Sequence, residues 1–102
     1  MSQKFYFRRE VVERFECDEE FLDELEAEEL ISAVQMENSP ERGFPEDQVE
    51  RIRIVNNLVR DLDVNLAGCA VILEMRENMM RMRERFDRIL ESLVQALERR
   101  SG

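Results

Sequence analysis

Residues 44–75 read FPEDQVERIRIVNNLVRDLDVNLAGCAVILEM, and their spacing predicts two helices in succession. Pro45 suits the first turn of a helix, where a backbone N–H has no partner in any case. The apolar residues that follow recur at helical spacing and predict an amphipathic helix ending near Asp61. They are Val49, Ile52, Val55, Leu58, Val59 and Leu62. Asn65 can cap a further, short helix, and we expect its apolar run from Leu66 to Leu73 to lie in the core.

Downstream of this stretch, apolar residues alternate at spacings of 3 and 4, the pattern of a coiled-coil seam. The seam residues are Ile72, Met75, Met79, Met82, Phe86, Ile89, Leu93 and Ala96. A helix this long cannot hide such a stripe against so small a body, so we expect a homodimer. The expected dimerisation residues are the seam from Ile72 to Leu93. The pattern leaves open whether the two helices run parallel or antiparallel, and a monomer whose helix folds back is the alternative.

Upstream of the same stretch, residues 30–44 lose the helical rhythm. A run of turn formers from Glu37 to Gly43 predicts a small β wing. Still earlier, the spacing of Phe7, Val11, Val12 and Phe15 predicts a short helix that begins at about Arg8 or Arg9.

Asp18 is well placed as the N-cap of a second short helix. Its inward stripe comprises Phe21, Leu22, Leu25 and Leu30. Two short helices joined by a tight turn predict a helix-turn-helix.

Length and composition agree with a helical domain. The chain has 102 residues and a mass of 12.2 kDa, which excludes two full domains. It contains 3 Gly and 2 Pro, whereas an all-β chain needs many more turn residues. We therefore expect a mostly α fold, with the helix-turn-helix, the wing and supporting helices in residues 1–71 and a dimerisation helix in residues 72–102.

Nothing in the sequence predicts catalysis. The chain has no His, which excludes Ser-His and Cys-His pairs, and Gly43 and Gly68 stand alone rather than in a phosphate-binding loop. Cys17 and Cys69 are expected to be reduced thiols. Carboxylate pairs such as Glu24 and Glu28 are better explained by a solvated or partner-binding face than by a metal. We expect no enzyme, no cofactor and no metal site, and a cytoplasmic protein without a membrane-spanning segment.

Charge is divided unevenly along the chain. Through Glu50 there are 5 basic and 16 acidic residues, a net charge of −11, whereas the remainder has 10 basic and 8 acidic residues, a net charge of +2. The stretch from Glu16 to Glu29 holds nine carboxylates and no base. Such a surface repels a phosphate backbone.

The order of these elements resembles the MerR family of regulators over roughly Phe5 to Leu97. The sharpest similarity lies in residues 44–52 and 58–75. Their Leu-Asp…Gly-x-Ala-Val-x-Leu-x-Met pattern is similar to the small CbpM branch of chaperone modulators and more loosely to the HspR repressors. The resemblance implies a winged helix-turn-helix with a small β wing and a C-terminal coiled-coil helix.

The departures from this family concern DNA contact. DNA-binding MerR regulators present Leu-Arg-x-Tyr-Glu on the second helix, and the arginine contacts the DNA backbone. Here the matching stretch is Leu22-Asp23-Glu24-Leu25-Glu26, so Asp23 stands where the arginine is expected. The wing keeps Arg42, but the usual Tyr-Arg-x-Tyr is reduced to Gly43-Phe44-Pro45. We therefore expect that the fold is kept and the DNA-binding chemistry is lost.

CbpM-type proteins bind the J-domain of a CbpA-type DnaJ co-chaperone and inhibit its stimulation of DnaK, which J-domains meet through a basic helix. The resemblance thus implies a chaperone modulator that binds through the acidic helix, with leucines exposed between the carboxylates. The expected contact residues are Asp18, Glu19, Glu20, Asp23, Glu24, Glu26, Glu28 and Glu29. A MerR-type DNA-binding regulator is the alternative. Its candidate DNA contacts in the N-terminal half are Arg8, Arg9, Arg14 and Arg42 besides Lys4, and Arg51 and Arg53 can add to a basic patch.

Overall fold

The computed structural model describes residues 4–101, which form three strands and four helices. The strands are β1 (Phe5–Phe7), β2 (Val34–Gln35) and β3 (Arg42–Pro45). The helices are α1 (Arg8–Phe15), α2 (Glu19–Ala27), α3 (Glu46–Leu62) and α4 (Leu66–Ser101). This mostly helical architecture, with a helix-turn-helix and a small sheet, confirms the predicted fold class.

The three strands form one antiparallel sheet in the order β1-β3-β2. The β2–β3 hairpin confirms the predicted wing. Gly43 is required at its centre, because a Cβ there would come within 2.5 Å of the Met36 Sδ and 3.0 Å of the Tyr6 carbonyl oxygen. β1 was not predicted: Phe7 ends this strand and lies outside the first helix, since Phe5–Phe7 pair with β3.

Local capping fixes the helix-turn-helix. The Phe7 N–H at the start of α1 donates to the Glu10 carboxylate at 2.9 Å. The predicted N-cap of α2 is confirmed, because the Asp18 Oδ1 accepts from the Phe21 N–H at 2.8 Å. At the C-terminal end of α1 the carbonyl of Phe15 accepts from two side chains of α3.

The core lies among α1, α2, β3 and α3. Leu22 and Leu25 of α2, Phe44 of β3, and Ile52 and Val55 of α3 are all fully buried. The predicted inward stripe of α2 and the amphipathic pattern of α3 are therefore confirmed, except that Phe21 is only half-buried and Leu62 is exposed.

The C-terminal part differs from the prediction of two helices. Asn65 caps the helix as predicted, with its Oδ1 accepting from the Gly68 N–H at 2.7 Å, but α4 then continues as one helix to Ser101. No proline follows Gly68 to break it. The expected core run from Leu66 to Leu73 is also wrong in part, because only Cys69 and Leu73 of that run are buried.

The contacts divide the chain into two compact units, one that ends at Ala70 and one that begins at Val71. Within residues 4–101, no helix is both long and apolar enough to span a bilayer.

Candidate functional site

The candidate contact residues lie on α2 and its two ends, and we call them the acidic surface. They are Asp18, Glu19, Glu20, Asp23, Glu24, Glu26, Glu28 and Glu29. Asp18 is committed to capping α2, and its neighbours Glu19 and Glu20 lie in the first turn, where the helix dipole favours anions. The other carboxylates separate into two groups on different sides of the helix.

One side of α2 is partly neutralised by a single arginine of α1, which sets one positive charge against three carboxylates. The Arg8 Nε lies 2.8 Å from the Glu19 Oε2, its Nη2 lies 2.7 Å from the Asp23 Oδ1, and its Nη1 contacts the Glu26 Oε1. Burial lowers the pKa of Arg8, but hydrogen bonds and charges from Glu19 and Glu26 outweigh this and raise the pKa overall. Arg8 therefore stays charged and holds α1 against α2.

The other side of α2 keeps its charge unpaired. Glu20, Glu24 and Glu28 follow each other at intervals of four residues, so they line one side of the helix about 6 Å apart along its axis. All three are exposed, and none makes an ion pair within residues 4–101. We call these three residues the outer ridge.

The leucines of α2 do not contribute to this surface. Leu22 and Leu25 are 0% exposed, and Leu30, which follows the helix, is 3% exposed, so the expectation of leucines exposed between the carboxylates is wrong. The apolar stripe of an amphipathic helix faces the core, so the leucines that form it are not available to a partner. The half-buried Phe21 is the large apolar side chain of α2 that remains near solvent.

The candidate DNA-contact arginines are engaged within the protein. Arg9 pairs with Glu41 at 3.2 Å and lies over the Phe7 ring at 4.4 Å. Arg14 lies over the rings of Tyr6 and Phe15.

Arg42 of the wing donates to the Ala33 carbonyl at 2.8 Å, and Arg8 is held by three carboxylates. Sequence reasoning missed this last network, because Arg8 lies 11 residues from Glu19 and 18 from Glu26, beyond any helical spacing.

The expected dimerisation residues lie on α4 with their apolar side chains exposed. Among them the exposed fraction runs from 36% for Ile72 to 70% for Met82. Leu90, Val94 and Leu97 widen the same stripe and are also exposed. Single apolar side chains on a surface are normal, whereas a contiguous stripe of this length is unusual for a surface that stays in water.

The two thiols have little nucleophilic character. Burial raises the pKa of Cys69 and of Cys17, and the charges of Asp18 and Glu19 raise that of Cys17 further. Both thiols therefore stay protonated near neutral pH, where the thiolate is the reactive form.

A model of the family described as MerR HTH family regulatory protein matches residues 7–91. The chain belongs to this family. The match covers α1, α2, the wing, α3 and the first 26 residues of α4. A search of the curated proteins and a search of the solved structures each found no match.

Within the MerR family, the departure at the second helix has a structural counterpart here. Asp23, which the sequence resemblance places opposite the arginine of DNA-binding members, accepts a hydrogen bond from Arg8 and so belongs to an internal ion pair in this chain.

Proposed function

We propose that this MerR-family chain is a non-enzymatic chaperone modulator of the CbpM type. It binds the J-domain of a CbpA/DnaJ-type co-chaperone through the acidic surface and inhibits the co-chaperone's stimulation of DnaK. The outer ridge carries the proposal, because Glu20, Glu24 and Glu28 are exposed and unpaired within residues 4–101. A helix with basic residues at matching intervals is the complement of such a row of charge.

The C-terminal end of α2 supports a binding role. Glu26, Glu28 and Glu29 lie at this end, and no basic residue occupies the last turn. Anions there oppose the helix dipole, and for Glu28 and Glu29, which within the described chain lack the ion pair that Glu26 makes with Arg8, the cost is about 0.3–1 kcal/mol each. By contrast, α1 ends with Arg14, which matches its dipole. Residues that break a local rule in this way are typical of functional surfaces.

The family description favours a second candidate, a MerR-type DNA-binding regulator. Arg8 and Arg42 are the natural residues for phosphate contact in the helix-turn-helix and the wing. DNA binding would have to release Arg8 from three carboxylates or bring those carboxylates close to phosphate. Either step opposes the counterion release on which DNA affinity depends, so we favour the modulator.

We also propose that the chain acts as a homodimer, with a second copy covering the seam of α4. The seam runs over more than three heptads, which is long enough for a coiled coil. Its side chains are uncovered within the described chain. Pairing with a second copy removes them from water and supplies the stabilisation that an isolated helix of this length lacks.

The test is a binding titration against the full-length CbpA-type co-chaperone of the same organism. We expect the double variant Glu24→Lys/Glu28→Lys to lower the affinity about tenfold or more, equivalent to about 1.4 kcal/mol or more. It should also relieve inhibition of co-chaperone-stimulated DnaK ATPase activity. The matched control, Glu84→Lys/Glu91→Lys, makes the same charge change on exposed residues of α4 and should leave the affinity within about twofold.

The second candidate is tested by isolating the protein from a cell lysate and using any DNA that is retained with it in a mobility-shift assay. Equal affinity of both variants for the co-chaperone would move the contact off the outer ridge. No binding by the unaltered chain, together with specific DNA retention, would replace the modulator with the regulator.

A further inference from the structure

A groove of about 360 Å³ borders the N-terminal half of α2 and the C-terminal half of α3. Phe21 and Val59 are its large apolar lining residues, and Glu16, Cys17, Asp18, Asn56 and Arg60 complete the lining. Phe21, Val59 and Cys17 are each half-buried. The groove is formed by residues of the N-terminal unit alone.

Three of the polar side chains at the groove already have partners, whereas the exposed Glu16 also lines it. The Asn56 Nδ2 and the Arg60 Nη1 each donate to the Phe15 carbonyl oxygen at 3.2 Å, which caps the C-terminal end of α1. Asp18 is likewise committed to the Phe21 N–H. The side chains of Phe21 and Val59 are only half-buried, so the groove can accept an apolar group beside the carboxylate of Glu16.

The groove adjoins the outer ridge and not the side of α2 that Arg8 neutralises. Each residue turns the helix by about 100°. Going round α2 from Glu20, one meets Glu24, Glu28 and then Phe21, before the buried Leu25. Glu19, Asp23 and Glu26 lie on the opposite flank with Arg8. A ligand on the outer ridge can therefore reach the groove without disturbing the Arg8 network.

We infer that this groove anchors the partner of the outer ridge, and that its occupant is a basic amphipathic helix. The helix lays its cationic side chains along Glu20, Glu24 and Glu28 and inserts one apolar side chain between Phe21 and Val59. Charge complementarity selects the partner and raises the association rate, while the desolvated apolar anchor slows dissociation. This inference rests on the proposed function and extends it from a charged surface to a two-part site.

Cys17 reports on occupancy of the groove. It is the accessible thiol, because Cys69 is 0% exposed. Alkylation of the full chain is followed at about pH 9, where the thiolate is populated enough to react, with and without a saturating amount of the full-length CbpA-type co-chaperone. We expect the co-chaperone to slow alkylation at least tenfold. Binding without any slowing would overturn the anchor and leave the proposed function standing, whereas no binding would overturn both.

A substitution that leaves the outer ridge intact provides a second measurement. Val59→Lys places a cation in the groove and should lower the affinity at least tenfold, mainly through faster dissociation. Val12→Lys makes the same change at a half-buried valine of α1 outside the groove and is the matched control. Circular dichroism establishes that both variants fold. Equal affinities of two folded variants would contradict the inference.

Discussion

The helices α2 and α4 dispose of their apolar side chains in opposite ways. α2 turns Leu22 and Leu25 fully into the core of its own unit and presents carboxylates to solvent. α4 exposes its seam, with Met82 and Phe86 at 70% and 55%, and carries a regular row of acids elsewhere. That row is Glu77, Glu84, Glu91 and Glu98, spaced seven residues apart.

This difference separates two kinds of incomplete surface. α2 buries its leucines, leaves Phe21 half-buried and keeps negative charge on the outer ridge that is unpaired within residues 4–101, so its exposed surface suits a basic partner. α4 from Met75 onward carries mixed charge and leaves its apolar stripe exposed, so this surface suits an apolar partner. Substitutions that change the charge of α2 or the apolar stripe of α4 separately test whether the two helices bind different kinds of partner.

The largest expected effect follows from charging the seam. Met82→Asp/Phe86→Asp buries two carboxylates in the proposed dimer interface, each without a partner, at a cost of several kcal/mol. We expect the mass measured by sedimentation equilibrium to fall from twice 12.2 kDa to 12.2 kDa.

Two carboxylates placed outside the seam serve as the control. Asn78→Asp/Gln95→Asp adds the same charge at exposed positions of α4 and should leave the mass unchanged. A wild-type chain that sediments as a monomer would contradict the homodimer. A variant with the charged seam that still dimerises would place the dimer interface outside the seam.

Much of this fold could be predicted because its signals are local. Asp18 and Asn65 cap helices through atoms three residues away, and the period of α3 is visible in one window of sequence. β1 could not be predicted in the same way. Phe5–Phe7 is three residues long and is a strand only because it pairs with Gly43–Pro45.

The candidate surface shows the same limit. Composition identified the eight carboxylates, since nothing basic interrupts them. It could not separate the outer ridge from the residues that Arg8 neutralises, because that division depends on how α1 packs against α2. Composition also could not show that Phe21 of α2 and Val59 of α3 line the same groove.

Removing Arg8 should have an intermediate effect on stability, because Arg8 offsets part of the negative charge on its side of α2. Arg8→Met keeps much of the side chain's apolar contact but leaves Glu19, Asp23 and Glu26 facing one another. The Arg8 side chain is 27% exposed, so solvent screens part of the interaction. We expect the free energy of unfolding, from urea titration, to fall by about 1–2 kcal/mol at low salt and by less at high salt.

The surface pair of Arg53 with Glu50 is the comparison for Arg8. These side chains are 47% and 40% exposed and lie three residues apart on α3. Arg53→Met should therefore cost about 0.5 kcal/mol or less. If both variants lower the free energy of unfolding equally, the Arg8 network contributes no more to stability than a surface ion pair does.

The smallest effect concerns the end of α2 and has the opposite sign for stability and for binding. Glu29 has a φ of 59°, a left-handed conformation that glycine adopts at lower cost, and its carboxylate lies near the negative end of the helix dipole. Glu29→Gly should raise the free energy of unfolding by up to about 1 kcal/mol. Asp63→Gly, at a φ of 54° after α3, should stabilise to a similar extent.

Only Glu29→Gly removes a member of the acidic surface, so only this variant should bind the co-chaperone more weakly, by about twofold to threefold. A stabilised Glu29→Gly chain that binds as well as the wild type would mean that Glu29 lies outside the contact. A destabilised one would mean that its carboxylate makes a contribution to α2 that outweighs the strain.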